Sequence, residues 1–135
     1  MMRITIAIAA LLFSASGALA QGDAAAGETV FKKCASCHSV GEGAKNKVGP
    51  VLNGVFGRTA GTLPDYKYSK AMTDAGAGGI VWTEVTLKEF LAKPRDFVKG
   101  TKMSFPGLPK PEDEDNVIAY LLTFSPDYTP APPAQ

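Results

Sequence analysis

Cys34, Cys37 and His38 stand in one run, Cys34-Ala35-Ser36-Cys37-His38, and they are both of the chain's cysteines and its only histidine. Residues three and four apart share a face when the chain is helical, so two thiols and an imidazole can meet one flat partner. This C-x-x-C-H spacing is that of c-type haem attachment. The thiols add to the haem vinyl groups as thioethers, and the histidine is placed over the iron as its fifth ligand. A zinc site needs four ligands, and no further Cys or His exists to complete one. A thioredoxin-like pair belongs after a strand in an alternating β/α pattern, which this chain lacks. A plain disulfide leaves His38 without a role. One motif implies one haem.

The opposite face of the iron decides what such a haem does. With a single histidine, bis-His ligation is impossible. Met72 and Met103 are the sulfur candidates, because Met1 and Met2 fall in a leader segment. Met103 lies in Gly100-Thr101-Lys102-Met103-Ser104-Phe105-Pro106-Gly107, a loop bounded by glycine and proline of the kind that aims a side chain at a cofactor. Met72 falls on a short predicted helix, where a methionine more often packs. The spacing favours Met103 and leaves Met72 and a five-coordinate iron as alternatives.

These residues need elements to position them. Arg3, the apolar run Ile4 to Phe13 and the small-x-small site Ala18-Leu19-Ala20 make residues 1–20 a secretory signal, cleaved after Ala20. The apolar run is far short of the ~20 residues that span a bilayer. Its removal leaves a 115-residue chain, one small domain, with 13 basic against 13 acidic residues. That balance excludes a strongly basic nucleic-acid binder and bulk electrostatic adhesion to a membrane.

Asp23 caps a predicted helix whose Val30, Phe31, Cys34 and Ala35 form one stripe. Residues 46–61 are rich in glycine and turn residues. Ser69 caps a short helix that Gly76 stops. Thr86-Leu87-Lys88-Glu89 forms a capping box for a helix with Leu87, Phe90 and Leu91 inward, closed by Pro94. Pro111 and four acids open the last helix, with Val117, Ile118, Leu121, Leu122 and Phe124 apolar, ended by Ser125-Pro126. The domain then spans residues 21–125, followed by a proline-rich flexible tail over 126–135. Few helices with long loops make a poor core unless a large apolar cofactor completes it.

With Gly27, Phe31, Gly49-Pro50, Gly57-Arg58, Tyr68, Trp82, Gly100 to Met103 and Ile118 to Leu121 in this order, the chain resembles the soluble class I c-type cytochromes, of the mitochondrial cytochrome c and bacterial cytochrome c2 type. The resemblance implies an all-α cytochrome c fold, with crossing N- and C-terminal helices and long loops wrapped around one covalently bound haem c. It implies Met103 as the sulfur ligand opposite His38, and Pro50 as the carbonyl that orients the histidine ring. Arg58, Tyr68 and Trp82 match donors to the haem propionates, and Thr101 matches a threonine beside the inner one. A partly buried carboxylate needs such donors. Phe90 and Phe97 stand where mitochondrial-type members carry tyrosines.

A six-coordinate haem has no vacancy for substrate. The expected function is therefore a periplasmic, monomeric one-electron shuttle rather than an enzyme. Its partners would be a membrane quinol–cytochrome c reductase-type donor and an oxidase or reductase acceptor, with no nucleic acid and no stable membrane insertion. Lys32, Lys33, Lys45, Lys47, Lys99 and Lys102 would ring the exposed haem edge for docking. A peroxidase-like or gas-binding haem protein with a labile sixth ligand is the alternative.

Overall fold

The computed structural model describes residues 22–130. Among them five helices follow one another: α1 (Ala24–Phe31), α2 (Lys70–Ala77), α3 (Glu84–Ala92), α4 (Pro94–Phe97) and α5 (Pro111–Leu122). No strand is present among the described residues; one isolated bridge pairs Thr59 with Val81. The expected secretory signal, residues 1–20, lies outside the described residues, as do residues 131–135 of the expected tail.

α1 and α5 cross, and glycine makes the crossing possible. A Cβ on Gly27 would stand 1.9 Å from the Asn116 carbonyl oxygen, and one on Gly22 would stand 2.0 Å from that of Asp115. The helices therefore approach to backbone contact. Asp23 starts α1 as expected, its carboxylate accepting from Ala25 N (2.8 Å) and Ala26 N (3.1 Å). Its own N–H donates to Asn116 Oδ1 at 2.8 Å, joining the cap to α5. Phe31 and Tyr120 pack with ring centroids 5.5 Å apart. The core spreads from this crossing through Val30, Val117, Ile118 and Leu121 to Leu87, Phe90, Leu91 and Trp82. A Lys88–Asp115 ion pair at 2.6 Å links α3 to α5.

Three local expectations are corrected. α3 opens at Glu84, three residues earlier than a Thr86 cap implies. Thr83 is the cap, and its hydroxyl accepts from Thr86 N at 3.2 Å while the Thr86 hydroxyl accepts from Thr83 N at 2.8 Å. Threonine thus fills the place that Glu89 was expected to take. The physical reason lies upstream: Trp82 is held extended by two bonds to residues 57 and 58, so the chain turns helical as soon as it is released.

α2 runs through Gly76 instead of stopping there. That glycine serves close approach, since a Cβ would meet the Ala60 carbonyl oxygen at 1.8 Å. Gly79, at φ +104°, follows the helix end. Pro94 does close α3, but it also occupies the first turn of α4, where its missing N–H costs nothing.

The last helix begins at Pro111 and ends at Leu122, leaving Phe124 beyond it. Within the segment expected as a flexible tail, residues 126–135, Tyr128 is packed. Tyr128 stacks against Phe56 with centroids 5.4 Å apart, and its hydroxyl donates to Glu84 Oε2 at 2.7 Å.

Candidate functional site

α1 ends at Phe31, and the Cys34–His38 run continues it as turns rather than as helix. The helical spacing survives locally. His38 N donates to Cys34 O at 2.9 Å, an i→i+4 bond, and Cys37 N donates to the same oxygen at 3.1 Å. Both cysteines are unpaired and partly buried. Burial first, and the neighbouring Cys37 second, push the Cys34 thiol up to about 11.

His38 is fixed from two sides. Its Nδ1 lies 2.7 Å from the Pro50 carbonyl, and because a carbonyl only accepts, Nδ1 carries the proton and donates. Nε2 keeps its lone pair. Burial lowers the imidazole pKa, opposed by the Pro50 bond, so the ring is held in the neutral form that a metal requires. Gly49 forms the other wall: a Cβ there would sit 2.4 Å from His38 Cε1 and 2.8 Å from Nε2. Only glycine leaves room for the ring.

The loop carrying Gly49 and Pro50 is tightly tied. Gly49 N donates to Cys37 O at 2.8 Å, Leu52 N to Ser39 O at 3.1 Å, and Val51 N to Asn46 Oδ1 at 2.8 Å. Asn53 and Gly41 exchange two bonds of 2.8 Å each. Gly49 and Pro50 are recognisable in the sequence, whereas this web is not. The pairing of Asn46 and Asn53 with backbone leaves no periodic signal.

One cavity of about 320 Å³ receives all of these groups. Its lining includes every residue singled out from the sequence: Cys34, Cys37, His38, Pro50, Arg58, Tyr68, Trp82, Thr101 and Met103. Its walls are otherwise largely apolar, among them Phe31, Leu52, Phe90, Leu91 and Leu121. Met72 also lines it, so proximity alone does not separate the two methionines.

The donors gather as a group. Arg58 Nη2 donates to Asn53 O at 2.6 Å. The Tyr68 hydroxyl accepts from Leu63 N at 3.3 Å, and burial raises its pKa against opposing pulls from Leu63 and Arg58. Trp82, 6% exposed, packs on Phe90 at 5.1 Å. Thr101 accepts from Met103 N through its hydroxyl at 3.3 Å, so it positions the methionine's backbone.

One further residue, Tyr66, belongs to the site and carries no mark in the sequence motifs. Tyr66 lines the cavity, meets Tyr68 edge-on at 4.7 Å and donates to Val48 O at 2.7 Å. The alternation Tyr66-Lys67-Tyr68, which places both rings on one side of an extended segment, was the available signal. Lys102 was expected as a docking residue. Its ammonium lies 4.5 Å from the Tyr66 ring centroid and hydrogen-bonds to Lys67 O, and the side chain stays exposed. Lys47 is likewise engaged, donating to Ala35 O at 2.7 Å. All six lysines expected to dock, Lys32, Lys33, Lys45, Lys47, Lys99 and Lys102, are exposed.

These residues fit a haem. Two thiols and a neutral imidazole with a free Nε2 face an apolar cavity, with sulfur candidates in the lining and hydrogen-bond donors at Arg58, Tyr68 and Trp82. The family model Cytochrome c matches residues 24–125. The chain is 59% identical over 110 residues to a cytochrome c2 of Afifella marina, covering 82% of this chain and 89% of that one. It is 56% identical over 111 residues to a cytochrome c2 of Agrobacterium tumefaciens, covering 82% and 99%. The solved structure of cytochrome c2 from Rhodospirillum centenum is similar with a TM-score of 0.73 at 45% identity, covering 78% of this chain and all of that one.

Proposed function

The chain belongs to the cytochrome c family and carries covalently bound haem c as an electron carrier, and on that premise we propose how its own residues hold the group and serve that role. Cys34 and Cys37 provide the two thioether sulfurs. His38 offers Nε2 to the iron, and Pro50 holds the ring in that orientation and strengthens its donation. Met103 offers its thioether on the other face. The haem supplies an iron that changes oxidation state by one electron, with sulfur ligation and burial favouring the ferrous form. The apolar walls exclude water from the metal. Arg58, Tyr68 and Trp82 would donate to the haem propionates, with Thr101 on the same wall of the cavity.

The observation that carries this reading is His38. Its Nδ1 is occupied by Pro50, its Nε2 is free, and it lines one cavity with both cysteines and Met103. His38 and Met103 would together hold the iron and leave it no vacancy, which suits electron transfer rather than turnover of a substrate. It docks transiently, as a monomer, with a quinol-oxidising donor and with an oxidase or reductase acceptor. Exposed Lys32, Lys33, Lys45 and Lys99 supply the attraction, which salt screens within ~10 Å at 0.1 M. The signal-like leader supports export to the periplasm. No helix among the described residues is long and apolar enough to cross a membrane.

A redox titration of the exported holoprotein followed optically tests this. The expected result is a single one-electron wave, a sulfur-to-iron charge-transfer band in the ferric form and slow cyanide binding. Met103→Ala should abolish the band and lower the potential strongly, while Met72→Ala should keep both. The reverse pattern assigns the sulfur to Met72. Prompt cyanide binding by the unaltered ferric protein speaks for a labile sixth site instead.

A further inference from the structure

Tyr128 lies beyond residues 24–125, the stretch that matches the family model, yet it is built into the molecule. Its ring rests on Phe56 at 5.4 Å and 32° between planes. Tyr128 Cδ2 would be 3.3 Å from a Cβ on Gly57, a residue at φ +82°, so a side chain there would crowd the ring. The hydroxyl donates to Glu84 Oε2 at 2.7 Å. Backbone bonds fasten the approach: Gly54 N to Phe124 O at 2.8 Å, Phe56 N to Ser125 Oγ at 3.3 Å and Tyr128 N to Ser125 O at 3.1 Å.

What this contact joins gives it meaning. Phe56 and Gly57 lead directly into Arg58, and Glu84 follows Trp82 by two residues. The two segments are themselves reciprocally bonded, Gly57 N to Trp82 O at 2.8 Å and Trp82 N to Arg58 O at 2.9 Å. Tyr128 therefore clips both of them from outside, gripping one by its ring and the other by its hydroxyl. It lines the cavity nowhere.

We propose that Tyr128 is a positioning residue, which holds the Arg58 and Trp82 segments in register through Phe56 and Glu84 and so fixes the donor edge of the haem site. This rests on the reading of Arg58 and Trp82 as propionate donors. Burial and the Glu84 carboxylate push the phenol up to about 12, so the hydroxyl remains a donor throughout the neutral range. The proline-rich stretch that begins after Ser125 thus contributes to the site rather than only trailing from it. Loosening the clip lets Arg58 and Trp82 move apart, admits water to that edge and favours the ferric form.

The test uses ferric and ferrous holoprotein, with two readouts: hydrogen exchange of the Trp82 indole N–H by NMR, and midpoint potential. Tyr128→Phe keeps the ring and removes the donor, and Tyr128→Ala removes both. Loss of one hydrogen bond should speed indole exchange by about fivefold in Tyr128→Phe. Tyr128→Ala should speed it further, and the potential should fall in the same order. Glu84→Ala should match Tyr128→Phe, with no additional effect in the double variant, while Glu84→Gln keeps an acceptor and should restore most of the protection. A lowered melting temperature with unchanged indole exchange and unchanged potential in both Tyr128 variants overturns the proposal. Arg58→Gln separates the two levels. If it shifts the potential while the Tyr128 variants do not, the positioning role fails and the propionate reading stands. If Arg58→Gln also leaves the potential unchanged, the propionate reading fails, and this inference with it.

Discussion

The two axial candidates sit in loops of opposite construction. Around His38 almost every turn of chain is fastened: to Cys34, to Ser39, to Pro50, and through the Asn46 and Asn53 side chains. Around Met103 the chain is held mainly at its ends. Thr101 N donates to Val98 O at 3.0 Å, and Leu108 N to Leu91 O at 2.8 Å. A Cβ on Gly107 would meet the Ala92 carbonyl oxygen at 2.2 Å, so that end lies flat on α3. Between them, among the described residues, the Met103 N–H alone of the backbone donors from 102 to 107 is bonded, to the Thr101 hydroxyl. Regions with few internal bonds open first. One face of the site is therefore pre-set, and if Met103 holds the iron, the other is the face where ligation would yield first.

The largest effect expected is on the fastened side. Cys34→Ala with Cys37→Ala removes both thioether sulfurs, and the exported chain should yield no haem that survives acid-acetone extraction. Normal yield of covalently bound pigment from that double variant would end the attachment assignment.

Gly49→Ala comes next and probes the same face by crowding. The new methyl would lie 2.4 Å from His38 Cε1, so either the ring or the 46–50 loop must shift. Overpacking of this kind costs about 2 kcal/mol. For a domain of this size that lowers the melting temperature of the holoprotein by roughly 10 °C. On the other side Ser104→Ala, which removes a hydroxyl at an exposed position, should be nearly silent. Equal losses from the two would erase the contrast between the loops.

The sequence made the chemistry legible and the fastening illegible, for a physical reason. Cys34, Cys37 and His38 announce themselves because covalent and metal bonds demand fixed residue types at fixed spacing. Helices α1, α3 and α5 were legible from apolar period and caps, although α3 was expected to open three residues late, because Thr86 is a partner in the box and not its cap. The Asn53–Gly41 bonds, the Tyr66–Lys102 contact and the seating of Tyr128 on Phe56 bring together residues 12 to 72 apart in the chain. No local pattern encodes such meetings. Gly76 shows the same limit, since a helix-stopping glycine and a close-packing glycine are identical on the page and only the position of Ala60 distinguishes them.

Lys102 tests the yielding side with a smaller expected effect. It is the one long side chain of that loop tied across to the 65–68 segment, over the Tyr66 ring and onto Lys67 O. An exposed cation–π contact with its hydrogen bond stabilises by about 1 kcal/mol. If exogenous ligand binds only when the loop opens, Lys102→Ala should tighten cyanide binding to ferric holoprotein about fivefold. Lys99→Ala, on an exposed neighbour, should leave it unchanged. A docking residue would behave otherwise: both variants would alter the salt dependence of electron transfer, and neither would alter cyanide affinity.

The smallest expected effect belongs to Phe90, on α3 behind the yielding loop. It is 5% exposed, packs on Trp82 at 5.1 Å and Phe97 at 6.2 Å, and lines the cavity together with Met103. A phenyl ring offers no hydrogen bond, so with Met103 as the sulfur ligand of the proposed site the thioether would keep its full electron donation. Phe90→Tyr adds a hydroxyl within that wall. Drawing on the sulfur lone pair weakens its donation, which destabilises ferric iron more than ferrous, and the potential should rise. One hydrogen bond is worth about 1 kcal/mol net. At about 59 mV per tenfold for one electron, this corresponds to a rise of roughly 40 mV. The opposing effect is desolvation, because a hydroxyl without a partner in an apolar wall costs stability and draws in water. Water beside the iron would favour the ferric form and lower the potential. Midpoint potential and melting temperature measured together separate the two. A higher potential at unchanged stability means that the hydroxyl reaches the sulfur. A lower potential with a lower melting temperature means that the wall itself, kept dry by three packed aromatic rings, is what holds the yielding side of the site together.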